Sequence, residues 1–319
     1  MKALTFSTFG QPEVLEYREI ENPVLKSDEI LVQMKAIGLN YADMMRRSGV
    51  YPLRGKAPFV NGYEGAGVVI DNNGNSNVNI GERIGFADVP FANAELVAVP
   101  VSHAIPLPDE IDFDTAASAL LQGLSAQFLT TDCHKVSAGE TVLIHAAAGG
   151  VGQIMIQICK TIGAKVIGLV SSENKKLMAL SKGADQVFLY SENWRKLIHE
   201  LIPSGVDAVF DSIGSTIEDS LHVTKVRGNV VFFGMASGEF KIGDPLYIIG
   251  TSKRITGGDL WDYLTSREER IRRANQLFKW ILNNDVQISK PTKFKLSEGK
   301  DAHQFMESRK STGKILLIP

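Results

Sequence analysis

Cysteine is almost absent: Cys133 and Cys159 are the only two in 319 residues. That excludes a disulfide framework and a four-cysteine zinc lobe, and it predicts a reducing, cytoplasmic setting. Cys159 falls in a helical stretch and reads as a small buried hydrophobe. No apolar run approaches the roughly 20 residues of a membrane helix. The opening Met1-Lys-Ala-Leu-Thr-Phe6 lacks the apolar core of a secretion signal and reads as a first strand. A formal net charge of -2 leaves no electrostatic footprint for nucleic acid. His103, His199, His222 and His303 have no ligand spacing and read as surface residues. What is present, 44% hydrophobic and 22% charged residues, suits a globular enzyme, and the length favours two domains.

The most informative segment is Thr141-Val-Leu-Ile-His-Ala-Ala-Ala-Gly-Gly-Val-Gly152. An apolar strand runs into a glycine-rich turn, a helix follows over Gln153 to Ile162, and a second strand over Lys165 to Val170. Strand, turn, helix and strand in that order form the unit that binds a dinucleotide pyrophosphate. Glycine lets the backbone approach the phosphates, and the helix N-terminus offers N–H groups and a partial positive charge. Ala148, Gly149, Gly150, Val151 and Gly152 are the candidate phosphate contacts. Ala147 stands at the first glycine position, which alters the usual pattern to Ala-x-Gly-Gly-x-Gly. The alternative is a turn that uses glycine only to pack helix on strand.

Around this unit, residues 121–257 alternate strand and helix. Val206 to Asp211 ends in Ser212-Ile-Gly214, and Asn229 to Phe233 ends in Gly234-Met-Ala-Ser-Gly. The pattern predicts a doubly wound parallel sheet, with ligands at its C-terminal strand ends. Residues 1–120 instead carry short β-like runs, such as Glu29 to Ala36 and Gly65 to Asp71, and predict a compact β-barrel-like domain. A helix over Ser266 to Asn283 and a strand over Gly313 to Ile318 close the chain, and that strand is expected to return to the first domain.

An NAD enzyme usually ends the second strand of such a sheet in a carboxylate that binds the ribose 2′-hydroxyl. Here the strand ends Gly168-Leu-Val-Ser-Ser172. Ser171, Ser172 and Lys175 offer donors and a positive charge suited to a 2′-phosphate, so NADP is expected over NAD. The alternative for Lys175 is a solvated surface lysine.

These segments resemble the zinc-independent quinone oxidoreductases of the medium-chain dehydrogenase/reductase superfamily, the zeta-crystallin-like branch. The resemblance rests on Gly10-x-Pro-Glu-Val-Leu15, Lys35-Ala-Ile-Gly-Leu-Asn-Tyr-Ala-Asp43 and Gly62-Tyr-Glu-Gly-Ala-Gly67. It continues through His145-Ala-Ala-Ala-Gly-Gly-Val-Gly152, Phe210-Asp-Ser-Ile-Gly214, Glu307-Ser-Arg309 and Leu316-Leu-Ile-Pro319. It implies an α/β chain: a GroES-like β-rich catalytic domain (1–120, completed by 258–319) and a Rossmann domain (121–257) that binds NADPH.

The zinc-dependent relatives place a cysteine ligand where Asn40 stands and a histidine ligand where Tyr63 stands, so neither a catalytic nor a structural zinc is expected. Without a Lewis acid, alcohol oxidation loses its means of stabilising an alkoxide, whereas reduction of an activated C=C–C=O system needs only a hydrogen bond and a proton.

By the same resemblance Asn40 belongs to the nicotinamide pocket. Tyr51 matches a tyrosine that donates a proton or orients substrate, with a purely structural tyrosine as the alternative. Asp43 and Glu64 are expected to hold local geometry rather than act as bases. Ser125, Gly150, Val151, Lys175, Tyr190, Ser212, Phe233 and Arg309 fall where the family contacts NADPH; the alternative for Arg309 is a surface ion pair with Glu307. Met45 and Gln122 stand where quinone reductases often carry tyrosine and lysine, which weakens any simple transfer of quinone specificity.

The expected activity is therefore NADPH-dependent reduction of quinones or α,β-unsaturated carbonyls. A 2-enoyl thioester reductase is the alternative enzyme, with Arg46, Arg47, Arg54 and Lys56 as a possible phosphate patch or a solvated face. A non-catalytic crystallin-like or RNA-binding relative is a third reading, although the acidic balance argues against RNA. The run Leu246-Tyr-Ile-Ile249, together with Ile255, predicts a strand at a sheet edge. An edge invites pairing, and a homodimer is the expected assembly. Coverage of that edge by Leu260 to Leu264 would instead give a monomer.

Overall fold

The computed structural model describes residues 1–240, 242, 244–308, 311 and 313–319. The chain opens with β1 (Lys2–Phe6), β2 (Glu16–Glu19), the long β3 (Glu29–Leu39) and helix α1 (Tyr41–Arg47). Short strands follow: β4 (Phe59–Val60), β5 (Gly65–Asp71), β6 (Arg83–Phe86), β7 (Leu96–Pro100) and β8 (Ile105–Pro106). Helix α2 (Phe113–Phe128) leads into β9 (Thr141–Ile144), α3 (Gly150–Ile162), β10 (Lys165–Val170), α4 (Glu173–Ser181), β11 (Gln186–Leu189) and α5 (Trp194–Leu201). The alternation continues with β12 (Val206–Asp211), α6 (Ile217–Val223), β13 (Thr224–Phe232), α7 (Pro245–Thr251) and β14 (Arg254–Gly257). Helices α8 (Leu260–Tyr263) and α9 (Arg267–Leu282), strand β15 (Thr292–Lys295), helix α10 (Gly299–Glu307) and strand β16 (Ile315–Ile318) complete the chain.

Two compact units result. The first comprises Met1–Leu121, Leu264–Leu282 and Ile288–Pro319, and the second comprises Gln122–Tyr263 and Asn283–Gln287.

In the first unit a mixed sheet runs β15-β16-β3-β5-β6-β8, with β7 also on β3, and a smaller antiparallel sheet runs β2-β1-β4. Phe6, Ile30, Ile37, Phe86, Val99 and Leu317 pack into its core. Two registers matter for the site. Strand β16 pairs antiparallel with β3, Ile315 opposite Leu39, so one further step brings Lys314 to Asn40. Strand β5 pairs antiparallel with β3, Ile37 opposite Gly65, which brings Glu64 beside Gly38.

In the second unit six strands run parallel in the order β11-β10-β9-β12-β13-β14. That is the Rossmann order, with its topological switch between β9 and β12. Strands β9, β10 and β12 are buried on both faces, which is why each reads as a nearly continuous apolar run. Leu143, Ile167, Leu169, Val209 and Val230 from the sheet meet Trp194 and Ile198 of α5 in its core.

The segment Leu246-Tyr-Ile-Ile249 departs from expectation, since it lies in helix α7 rather than in a strand. Asp244 caps the helix by accepting the Leu246 N–H at 2.9 Å, and Pro245 supplies the first helical φ. These start signals outweigh the β preference of isoleucine and tyrosine. Ile255 does lie in a strand, β14, which ends the sheet on the side opposite β11. Among the described residues, no helix is long and apolar enough to cross a membrane.

Candidate functional site

In the second unit, the glycine turn joins β9 to α3. Helix α3 starts at Gly150 with Gly149 as its N-cap and has no side-chain cap, so its first-turn N–H groups point out of the helix end, an arrangement able to receive an anion. A side chain at Gly152 would press its Cβ to 2.6 Å from the Ala146 oxygen and 2.8 Å from that of Ala147, so only glycine permits this closeness of turn and helix. The altered first position also has an explanation. A Cβ at Gly168 of β10 would lie 2.9 Å from the Ala147 methyl, so Gly168 provides the room that Ala147 takes.

Gln122 lies against the turn: a Cβ at Gly150 would meet its Oε1 at 2.1 Å. Ser125 follows three residues later on the same face of α2. At the tip of β10, the Lys175 ammonium donates to Ser171 Oγ at 3.2 Å, and Ser172 is the N-cap of α4. At the tips of β12 and β13, the Phe233 N–H donates to the Asp211 carbonyl at 3.0 Å. Gly214 has φ +92°, and a Cβ there would meet the Glu239 oxygen at 2.4 Å. Gly234 passes close to Ser212, whose carbonyl stands 3.1 Å from the position of a Cβ.

Ala148, Gly149, Gly150, Val151, Gly152, Ser171, Ser172, Tyr190, Ser212, Gly214, Phe233 and Gly234 thus stand at the C-terminal ends of parallel strands, as a dinucleotide site requires. Arg309 lies outside the described residues, and Glu307 is ion-paired with Arg47.

Tyr190 behaves differently from its neighbours. Its hydroxyl faces inward, accepts the Ala146 N–H at 2.9 Å and meets His145 Nδ1 at 3.2 Å. His145 Nε2 meets Ser220 Oγ at 3.0 Å, and that hydroxyl donates to Asp211 Oδ2 at 2.7 Å. Asp211 Oδ1 accepts the N–H groups of Ile213 and Gly214. Burial pushes the His145 imidazole down; the Asp211 carboxylate, whose Oδ2 lies 3.6 Å from its Nε2, opposes this only in part. The ring is therefore neutral, and this buried chain ties the glycine turn to the loop after β12.

In the first unit, a second buried polar cluster forms around β3 and α1. Lys314 is only 3% exposed, and its ammonium donates to Asn40 Oδ1 at 2.6 Å and to Glu64 Oε2 at 2.5 Å. Asn40 Nδ2 donates to Glu64 Oε2 at 2.9 Å and to the Gly38 carbonyl at 3.2 Å. Glu64 Oε1 accepts the Leu121 N–H at 2.7 Å. Gly38 makes room for this carboxylate, since a Cβ there would stand 2.4 Å from Glu64 Oε2.

Asp43, three residues into α1, accepts the Asn40 N–H at 2.9 Å and the Arg46 guanidinium at 3.1 Å. Burial raises the pKa of the Asp43 carboxyl, with the neighbouring Arg46 guanidinium acting against it. The Arg46 guanidinium carbon lies 3.7 Å from the ring centroid of Tyr63 and 5.0 Å from that of Tyr51. Two carboxylates and two cations thus form one buried cluster, and both carboxylates are engaged in holding backbone N–H groups.

Comparison with known proteins places this geometry. Residues 26–109 match the family described as "Alcohol dehydrogenase GroES-like domain", and residues 150–279 match "Zinc-binding dehydrogenase". A quinone oxidoreductase of Pseudomonas aeruginosa is 37% identical over 325 residues, covering 100% of this chain and 99% of the relative. The chain belongs to the quinone oxidoreductase family. A 2-haloacrylate reductase of a Burkholderia species is 33% identical, covering 97% of this chain and 96% of its own. The Escherichia coli quinone oxidoreductase, solved in complex with NADPH, superposes with a TM-score of 0.93 at 34% identity, covering 100% of both chains.

The word zinc in the description of the second family does not fit the donor set. The two positions at which zinc-dependent relatives carry ligands hold Asn40, whose oxygen accepts the Lys314 ammonium, and Tyr63, whose ring lies against the Arg46 guanidinium. A divalent cation would meet two positive charges where it needs lone pairs.

Several residues were read differently from sequence. Arg46 and Arg47 are buried and paired, Arg47 with Glu307 and with His303 Nδ1 at 3.3 Å, so neither coats a solvated face nor serves a phosphate patch. His303 is fully buried rather than superficial. Lys314 is a member of the buried cluster that the sequence reading did not name. Lys314 carries no local signal, and its partners lie 274 and 250 residues away in sequence.

Proposed function

We infer that this chain is an NADPH-dependent reductase that delivers hydride to quinones or α,β-unsaturated carbonyls. The observation that carries the reading is that Asn40 and Tyr63, at the two ligand positions of zinc-dependent relatives, are engaged by the Lys314 ammonium and the Arg46 guanidinium, within a chain alike over its full length to quinone oxidoreductases. NADPH supplies the hydride when bound. The first-turn N–H groups of Gly150, Val151 and Gly152 hold its pyrophosphate, with Ala148 and Gly149 shaping the turn. Ser171, Ser172 and Lys175 receive the 2′-phosphate. Ser212, Gly214, Phe233 and Gly234 line the remaining strand ends, Ser125 contributes from α2, Tyr190 supports the turn from within, and Arg309 is a further cofactor contact. Asn40 serves as a fixed wall of the nicotinamide pocket, because both of its amide donations are spent on Gly38 and Glu64. Tyr51, 37% exposed, donates the proton that completes reduction of an enone.

Incubation with NADPH and a panel of a benzoquinone, an enone and crotonyl-CoA, followed by loss of NADPH absorbance, tests the reading. Oxidation driven by the quinone or the enone is expected. Oxidation driven by crotonyl-CoA alone would replace this function with enoyl thioester reduction.

For assembly, we propose a homodimer formed through the outer edge of β14, a strand that among the described residues has a neighbour on one side only. Leu246 and Ile249 of the preceding α7 are each 73% exposed, which suits a covered face. Light scattering should give twice the 34.8 kDa of one chain; the mass of a single chain would refute the dimer. A cytoplasmic location suits the two buried free thiols.

A further inference from the structure

Asn40, Asp43 and Arg46 recur every three residues, which places them along one face of α1. The first two are accounted for by the buried cluster, whereas Arg46 reaches beyond it. Its side chain is almost wholly buried and paired with Asp43. Its Nε donates to the Pro52 carbonyl at 3.3 Å, and its guanidinium lies over the rings of both Tyr51 and Tyr63. The backbone of the same loop is held to α1 as well, with the Val50 and Tyr51 N–H groups donating to the Met45 carbonyl at 2.9 and 3.2 Å. A lysine could pair with Asp43, but only the flat guanidinium can bond sideways to the carboxylate and a carbonyl while presenting its face to aromatic rings.

We propose that Arg46 is a positioning residue for reduction: it holds the Tyr51 ring and stabilises the phenolate that Tyr51 becomes on giving up its proton. The proposal rests on the reading of Tyr51 as proton donor. After hydride has added to the acceptor, the Tyr51 O–H bond breaks, a bond forms between that proton and the enolate carbon, and the electron pair remains on the phenolic oxygen. Solvent returns the proton, because Tyr51 is partly exposed. The neutral ring attracts the guanidinium only through its quadrupole, whereas the phenolate attracts it as a full charge. The interaction therefore strengthens as the proton leaves, which is the condition for raising kcat rather than only tightening binding.

The test is a double-mutant cycle on enone reduction, with Arg46→Met, Tyr51→Phe and the double variant, each read as kcat and KM. Arg46→Met should lower kcat by about tenfold, the scale of a desolvated cation–π contact, and leave KM for NADPH unchanged. In the Tyr51→Phe background the same change should have no further effect on kcat. Arg46→Lys, which retains the ion pair and guards against misfolding, should melt like the parent yet keep a reduced kcat. Its solvent deuterium isotope effect should be larger, because proton transfer has become the slower step. A tenfold loss on Arg46→Met that persists in the Tyr51→Phe background would overturn the role of Arg46 while leaving Tyr51 as donor. A Tyr51→Phe variant with full activity would overturn the donor reading, and the proposal with it.

Discussion

Lys314 offers the sharpest test of how the first unit is held. Substitution by methionine keeps the length and the apolar stem but removes the ammonium from a site with 3% exposure. Removing one member of a buried ion pair costs about 3–5 kcal/mol, because the other charge is left without its partner. Glu64 would keep two donors, the Leu121 N–H at 2.7 Å and Asn40 Nδ2 at 2.9 Å. That remaining solvation places the cost at the lower end, about 3 kcal/mol. For a unit of this size, each kcal/mol shifts the melting temperature by about 2–4 °C, so the midpoint should fall by about 6–12 °C. Differential scanning calorimetry on Lys314→Met measures this directly. The double variant Glu64→Gln with Lys314→Met removes both charges and keeps the acceptor for Leu121, and it should recover at least half of the loss. Lys196→Ala, which breaks an exposed pair with Glu200, should leave the midpoint unchanged. A Lys314→Met protein that melts within about 2 °C of the parent would refute the reasoning, since no buried charge would then have been orphaned.

Three further outcomes are expected. Burial lowers the pKa of His303 to about 3, so the folded state holds this ring neutral while the unfolded chain titrates near the ordinary value of about 6.5. His303 therefore contributes stability above about pH 6.5 that is lost as the pH falls toward 3, with a slope of about 1.4 kcal/mol per pH unit; His303→Gln, which keeps an acceptor for Arg47, should flatten that slope in acid denaturation curves. Gly152→Ala should abolish measurable NADPH binding in calorimetric titration, because its methyl would stand 2.6 Å from the Ala146 oxygen; normal affinity would show that the turn can move aside. Lys175→Ala should erase most of a preference for NADPH over NADH of about tenfold, about 1.4 kcal/mol, without altering NADH binding, as read by fluorescence titration of both cofactors.

Sequence alone determined the parts whose physics is local or periodic. The strand–glycine turn–helix unit was legible because a parallel strand buried on both faces is an apolar run, and a tight turn against a helix needs glycine at Gly152. The same holds for Ser171 and Lys175, which stand within one turn of each other at a strand tip, and for Asn40 and Asp43, which form a helix start. The β-prone Leu246 to Ile249 misled because strand and helix preferences of short apolar runs overlap, and the Asp244-Pro245 start decided between them. Only the tertiary structure decided the rest. Gly168 makes room for Ala147 across two parallel strands, the Tyr190 hydroxyl turns inward to Ala146 and His145, and Arg47 is spent on Glu307. Lys314 reaches Asn40 and Glu64 through the antiparallel registers of β16 and β5 on β3. Burying a charge is tolerable only where partners surround it in three dimensions, and no spacing along one strand specifies which distant residues those will be.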